Sequence, residues 1–245
     1  MARPAAAAFA AGCIATLGLA ASAFAAMAPD MNAPPTVWKD TGAAPVVQLD
    51  AQKNPTLIAL RIPAALLKEL PKQRSEQVLP VENGGMVQTA NMQWHPMGHP
   101  PAHVYDVPHF DVHFFTITEK VRAGIMPGAA GGTMRPGKKL LPPNAILAPD
   151  YVPGMGMHVI PKSAPEFNKG GKFAVSPIIG YWKNDVAFFE VMFTKEGLMK
   201  KGGTTGAFPQ PTSVQRHGFY PTKYSVKYDA PEDEYEVAIS DFVKR

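Results

Sequence analysis

The chain has 245 residues, a formal net charge of +4, 26 prolines, 21 glycines, seven histidines and a single cysteine. Its lysines and arginines are scattered, adjoining only in short pairs such as Lys138-Lys139 and Lys200-Lys201, so the concentrated basic stripe of a nucleic-acid binder is missing. The lone Cys13 falls in a segment expected to be removed, which excludes disulfides, thiolate zinc sites and iron–sulfur clusters from the mature protein.

Residues 1–25 read as an export signal. Arg3 supplies a basic start, Ala5 to Ala23 is an uncharged run of small apolar residues, and Ala23-Phe24-Ala25 is an A-x-A cleavage pattern. The run is built of alanine rather than leucine and leads into prolines, which argues against a retained anchor and against lipidation at Cys13. The expected location is the periplasm or the exterior, with no stable membrane insertion after cleavage. Residues 26–45 read as a flexible lead-in, and 46–245 as a single domain.

Abundant proline confines regular structure to short pieces, because it breaks helix interiors and central ladders. Val46 to Leu49 and Thr56 to Ile62 read as strands separated by a turn at Asp50 to Pro55. Pro63 suits the first turn of a short helix over Ala64 to Leu70. Glu76 to Val81 reads as a strand, Asn83-Gly84 as a hairpin turn, and Met86 to Trp94 as extended chain. Pro108 to Phe115 has strand composition, which continues from Phe114 to Val121. Ala123 to Pro143 reads as a long loop. Phe173 to Trp182 and Val186 to Phe193 form a hairpin turning at Lys183 to Asp185. Lys195 to Lys201 reads as a helical turn or two, Gly202 to Gly206 as flexible chain, and Tyr220 to Tyr228 and Tyr235 to Val243 as strands. The fold class expected is all-β, or α+β: an antiparallel β-sandwich or barrel-like domain with one or two short helices.

Five of the seven histidines (His95, His99, His103, His109, His113) fall between Trp94 and Phe115, with Asp106 and Asp111. On a strand from Pro108 to Phe115, His109, Asp111 and His113 share one face, while Phe110, Val112 and Phe114 share the other. The aromatic face packs; the polar face is free to line a cavity. Residues two apart on a strand lie roughly 6.6 Å apart and residues four apart roughly 13 Å. His109 and His113 therefore cannot bind one ion on a straight strand, given zinc–ligand bonds of about 2.0–2.2 Å. Further ligands must come from elsewhere. His158, approached through Gly154 and Gly156, and Glu190, at the end of the apolar run from Val186, are the candidates, since a buried carboxylate needs a partner. Glu166 is a candidate general base or orienting group. His95, His99 and His103 lie among prolines and read as a loop, where they could cap a cavity mouth or stand behind the ligands. His217 is isolated and reads as structural.

Other catalytic signatures are missing: no nucleophile elbow, phosphate loop or dinucleotide fingerprint occurs. H-x-x-x-H occurs at 95/99, 99/103 and 109/113, but without the glutamate that zinc proteases place after the first histidine. Dispersed methionines give copper only minor support. The ligand set expected is thus His109, Asp111, His113, His158 and Glu190 around a divalent metal, zinc first. The alternative is a non-catalytic envelope protein whose histidines are structural or lie at an interface between subunits.

The runs G-H-P-P, P-H-F-D-V-H-F-F, M-G-M-H-V and F-F-E-V-M together resemble a family of exported bacterial proteins grouped as a domain of unknown function. Its members read roughly G-H-P-P, P-H-F-D-x-H-F-Y, M-G-x-H-W and F-x-E-P-M. The resemblance singles out His99, His109, Asp111, His113, His158, Glu166 and Glu190, and implies assembly into a homo-oligomer. Phe115, Val159 and Val191 depart from its pattern. It implies no established activity and no substrate.

Overall fold

A computed structural model describes residues 33–245, apart from Pro127, Thr133 and the side chain of Asp150. The expected signal at 1–25 and Cys13 lie outside the described residues. In chain order the strands are β1 (Thr36–Val37), β2 (Ala44–Leu49), β3 (Pro55–Pro63), β4 (Ser75–Pro80), β5 (Thr89–His95), β6 (His109–Phe115), β7 (Ala145–Val152), β8 (Gly156–Pro161), β9 (Val175–Trp182), β10 (Asp185–Thr194), β11 (Thr204–Ala207), β12 (Phe219–Tyr220), β13 (Lys223–Asp229), β14 (Glu234–Ser240) and β15 (Val243–Lys244). Among the described residues there are also two short α-helices, α1 (Glu119–Ala123) and α2 (Lys195–Met199), and three 3₁₀ turns.

The protein is a β-sandwich, and neither of its main sheets closes into a barrel. One sheet has eight strands in the order β1-β4-β5-β6-β10-β9-β8-β7, and the other has five in the order β11-β13-β14-β3-β2. All of their pairings are antiparallel except β1 with β4. Alternation explains the layers. Ala90, Met92 and Trp94 of β5, Phe110, Val112 and Phe114 of β6, and Phe189, Val191 and Phe193 of β10 belong to one buried cluster with Ile58, Leu60, Val237 and Ile239 of the smaller sheet. Burying a large apolar side chain contributes about 1.5–3 kcal/mol, so this seam supplies the main driving force for the fold.

A bulge sets the facing of β10. Its register with β9 shifts between Val186 and Phe188, and Val186 and Phe189 both join the sandwich core despite an odd spacing. The extra residue turns Phe188, Glu190 and Met192 to the opposite face of the sheet, since a one-residue slip exchanges the faces of a strand. That face is buried too. A second apolar cluster covers it, made of Tyr105, Phe115, Met155, Ile160, Phe173, Ile178, Phe188 and Met192 with their neighbours.

Four local expectations are corrected. Strand β6 stops at Phe115, and residues 119–123 form α1, because the Thr118 hydroxyl accepts from the Val121 N–H at 3.3 Å as an N-cap, with Glu119 in the first turn. The segment over 64–70 is a 3₁₀ turn spanning Ala64–Lys68. Residues 204–207 are not loose chain but β11, the edge partner of β13. His95 is the last residue of β5, paired with His109, rather than part of a proline loop. The strand β7 had no sequence expectation; it pairs with β8 at the far edge of the larger sheet.

Candidate metal centre

Strand β6 lies between β5 and β10 and pairs with both without a register shift. His113 stands opposite Glu190 and Asn91, Asp111 opposite Met192 and Gln93, and His109 opposite Thr194 and His95. His109, Asp111 and His113 share the face turned away from the sandwich core, and all three are buried. With no bulge to shorten it, the strand delivers His109 and His113 to separate places. Among the described residues two groups of metal-compatible side chains result: His113, His158 and Glu190, and His95, His99 and Asp111. Within each group the candidate ligand atoms all lie within 4.8 Å of one another.

In the first group His113 Nε2 is 3.3 Å from Glu190 Oε1, and His158 Nε2 is 3.9 Å from Glu190 Oε2. His158 arrives from β8, two strands from β10, because the intervening Gly180 presents no side chain. A Cβ at Gly180 would lie 1.9 Å from the Phe188 ring, so glycine is required for that ring to lie where it does. The ring packs against both His113 and His158, at centroid distances of 5.0 and 5.2 Å. Several polar atoms of this group are buried without a hydrogen-bond partner. Neither nitrogen of His113 has a hydrogen-bond partner, nor has Glu190 Oε2. Burial pushes His113 down to about 3 and His158 down to about 4, and raises the Glu190 carboxyl well above its ordinary range. Without a cation the group is two imidazoles held neutral beside a carboxyl whose charged form burial disfavours.

The second group is drawn together around one carboxylate, although Asp111 Oδ1, His109 Nε2 and His95 Nδ1 are also buried without a hydrogen-bond partner. Asp111 Oδ2 lies 3.0 Å from His95 Nε2 and 3.3 Å from His99 Nε2, while Oδ1 lies 3.2 Å from His109 Nε2. Burial opposes the charge on Asp111, but His109 and His95 outweigh it and hold the carboxyl well below its usual value. Burial also lowers His95, whereas at His99 the Asp111 hydrogen bond and charge prevail over burial and raise the imidazole. His99 Nδ1 donates to the Pro100 carbonyl at 2.7 Å and His109 Nδ1 to the Val107 carbonyl at 2.6 Å, so both rings aim Nε2 at the carboxylate. Gly98, at φ +70, makes the turn that returns His99 to the sheet; a Cβ there would lie 2.1 Å from the Tyr105 carbonyl oxygen. Behind the group, Gln93 links His95 to Glu76, which also accepts from Asn91.

The remaining candidates lie apart from both groups. Glu166 accepts a hydrogen bond from the Tyr105 hydroxyl at 3.0 Å and lines a different cavity, together with His103 and Asp106. His103 is exposed on the loop after His99, its backbone N–H donating to Asp106. His217 Nδ1 lies 3.1 Å from the carbonyl oxygen of Arg245. Sequence reasoning undervalued His95, although the alternation of Asn91, Gln93 and His95 in the extended run before it carried the signal. It also missed Gly180 and Tyr105.

A cavity of about 370 Å³ opens over the two groups. Gln93, His99, Asp111, His158 and Glu190 form its polar side, and the rest of its lining is mainly apolar, including Ile146, Val152, Met155, Ile160 and Phe167. No helix among the described residues is long and apolar enough to cross a membrane. The chain matches no protein-family model, no curated protein and no solved structure, so its chemistry is read from this geometry.

Proposed function

We propose that this is an exported, periplasmic metal-binding protein that holds one divalent ion, zinc before others, between His113, His158 and Glu190. One observation carries the reading: buried imidazole and carboxylate atoms converge there with no protein hydrogen-bond partner for His113 Nε2 or Glu190 Oε2. Buried polar groups are otherwise hydrogen-bonded in folded proteins, and an ion is the partner this donor set fits. Two imidazoles and a carboxylate form the nitrogen–oxygen ligand set that catalytic zinc uses with a fourth position open. An ion so held has a free position toward the cavity, where a bound water would support Lewis-acid or hydroxide chemistry. Glu166 holds the Tyr105 hydroxyl, and Tyr105 borders the cavity over the ion.

Metal analysis of untagged protein tests the reading. One equivalent of metal is expected in the wild type, and none in His113→Ala or His158→Ala. Substoichiometric metal that both variants leave unchanged would overturn it.

Asp111 favours a second reading for its own group. Three imidazole nitrogens within 3.3 Å of one carboxylate make a network held by protons, with a structural part or one at a subunit contact of a homo-oligomer. Two metal equivalents per chain, with one lost in Asp111→Asn, would refute this network.

A further inference from the structure

The cavity over the metal group carries a statement about ligand class, which rests on the proposed ion at His113, His158 and Glu190. His158 and Glu190 both border the cavity, so the open coordination position of that ion faces into it. A divalent ion with one carboxylate ligand and two neutral imidazoles leaves a net charge of +1. A charge in so apolar an enclosure needs a counter-charge, because an unpaired buried ion is heavily penalised. Asp111 also borders the cavity, but its carboxylate is engaged by His95, His99 and His109, and the rest of the lining is mainly apolar, with Ile146, Val152, Met155, Ile160, Phe167 and Ile178. At about 370 Å³ it falls within the range of small-molecule sites, which pair apolar walls with a few placed polar groups. We infer that the cavity takes a small monocarboxylic acid with an apolar tail, its carboxylate on the metal and its tail among these side chains.

The tail and the head make separable demands. Each methylene moved from water into the cavity should tighten binding about fourfold, the value for burying one methylene. A tail of the same length on a cationic head should gain nothing, since the ion repels it. Ala148 lines the cavity and belongs to neither metal-compatible group, so Ala148→Phe fills the space and leaves the ligands in place.

The test is calorimetric titration of zinc-loaded protein with acetate, butyrate, hexanoate and hexylamine, with the zinc content of every sample measured. Expected are affinities rising about fourfold per methylene from acetate to hexanoate, no binding of hexylamine, and loss of the tail-length gain in Ala148→Phe at unchanged zinc content. One equivalent of zinc with equal affinity for acetate and hexanoate overturns the ligand assignment alone. Tail-dependent binding that survives in Ala148→Phe also overturns it, since the tail then lies elsewhere. Absence of bound zinc overturns the metal reading and this inference together, and the zinc measurement separates that failure from the others.

Discussion

Replacing Glu190 by glutamine should move stability in opposite directions with and without metal. Glu190 is 2% exposed, its Oε2 has no donor, and its Oε1 faces the neutral ring of His113 at 3.3 Å. In metal-free protein at pH 8 this position must hold either a proton against the solvent or an uncompensated charge. Leaving a buried polar group unsatisfied costs about 1–3 kcal/mol, and glutamine, of equal size and uncharged, removes much of that cost. For a domain of this size each kcal/mol corresponds to roughly 2–4 °C in Tm, so metal-free Glu190→Gln should melt several degrees above the wild type. Zinc reverses the order. At a free concentration of 100 Kd an ion stabilises the wild type by about 2.7 kcal/mol, while the variant has lost its charged ligand and gains nothing. Thermal melts followed by circular dichroism, in EDTA and in excess zinc, measure both halves. A variant that melts lower in EDTA and keeps the zinc shift would refute the account of this site.

Three further outcomes follow from the same geometry. Asp111→Asn removes the partner of three imidazoles and should cost about 3–5 kcal/mol in urea unfolding, the scale for breaking a buried ion pair. Gly180→Ala drives a Cβ into the Phe188 ring at 1.9 Å; a loss of roughly 1–3 kcal/mol and a diminished zinc shift are expected, read by the same melts. The pH dependence of metal-free stability should bend in both directions, and urea midpoints from pH 3 to 9 read it. The unfolded histidines take up protons near 6.5 that folded His113 and His158 refuse until about 3 and about 4, so stability falls as the pH drops below 6.5. Asp111, held below 3.8 in the fold, adds support that is whole above that value and is lost as the pH falls through its folded pKa. Glu190 has the opposite sign: raised above 4.5, it supports the fold while protonated, and that support is lost as the pH rises through its folded pKa. Glu190→Gln should abolish the loss that sets in above pH 4.5, and its persistence in that variant would refute the assignment.

The parts legible in advance were those governed by short-range alternation. Phe110, Val112 and Phe114 against His109, Asp111 and His113 divided β6 correctly into a packing face and a polar face, because a strand's side chains have period two whatever lies around it. The same spacing kept His109 and His113 from one ion, and the structure sends them to different groups. The strand composition of Phe114 to Val121 overruns into helix α1, where a threonine cap outweighs it.

The sequence by itself determined a β-rich chain and a strand presenting imidazole and carboxylate on one side, since period-two patterning and proline content act within a few residues. Only the tertiary structure decided which histidine meets which carboxylate. A bulge in β10 chose the face of Glu190, a glycine in β9 opened the way for His158, and the loop turning at Gly98 carried His99 back onto Asp111. Those pairings depend on strand order and register between segments up to about eighty residues apart, a separation at which no local preference acts.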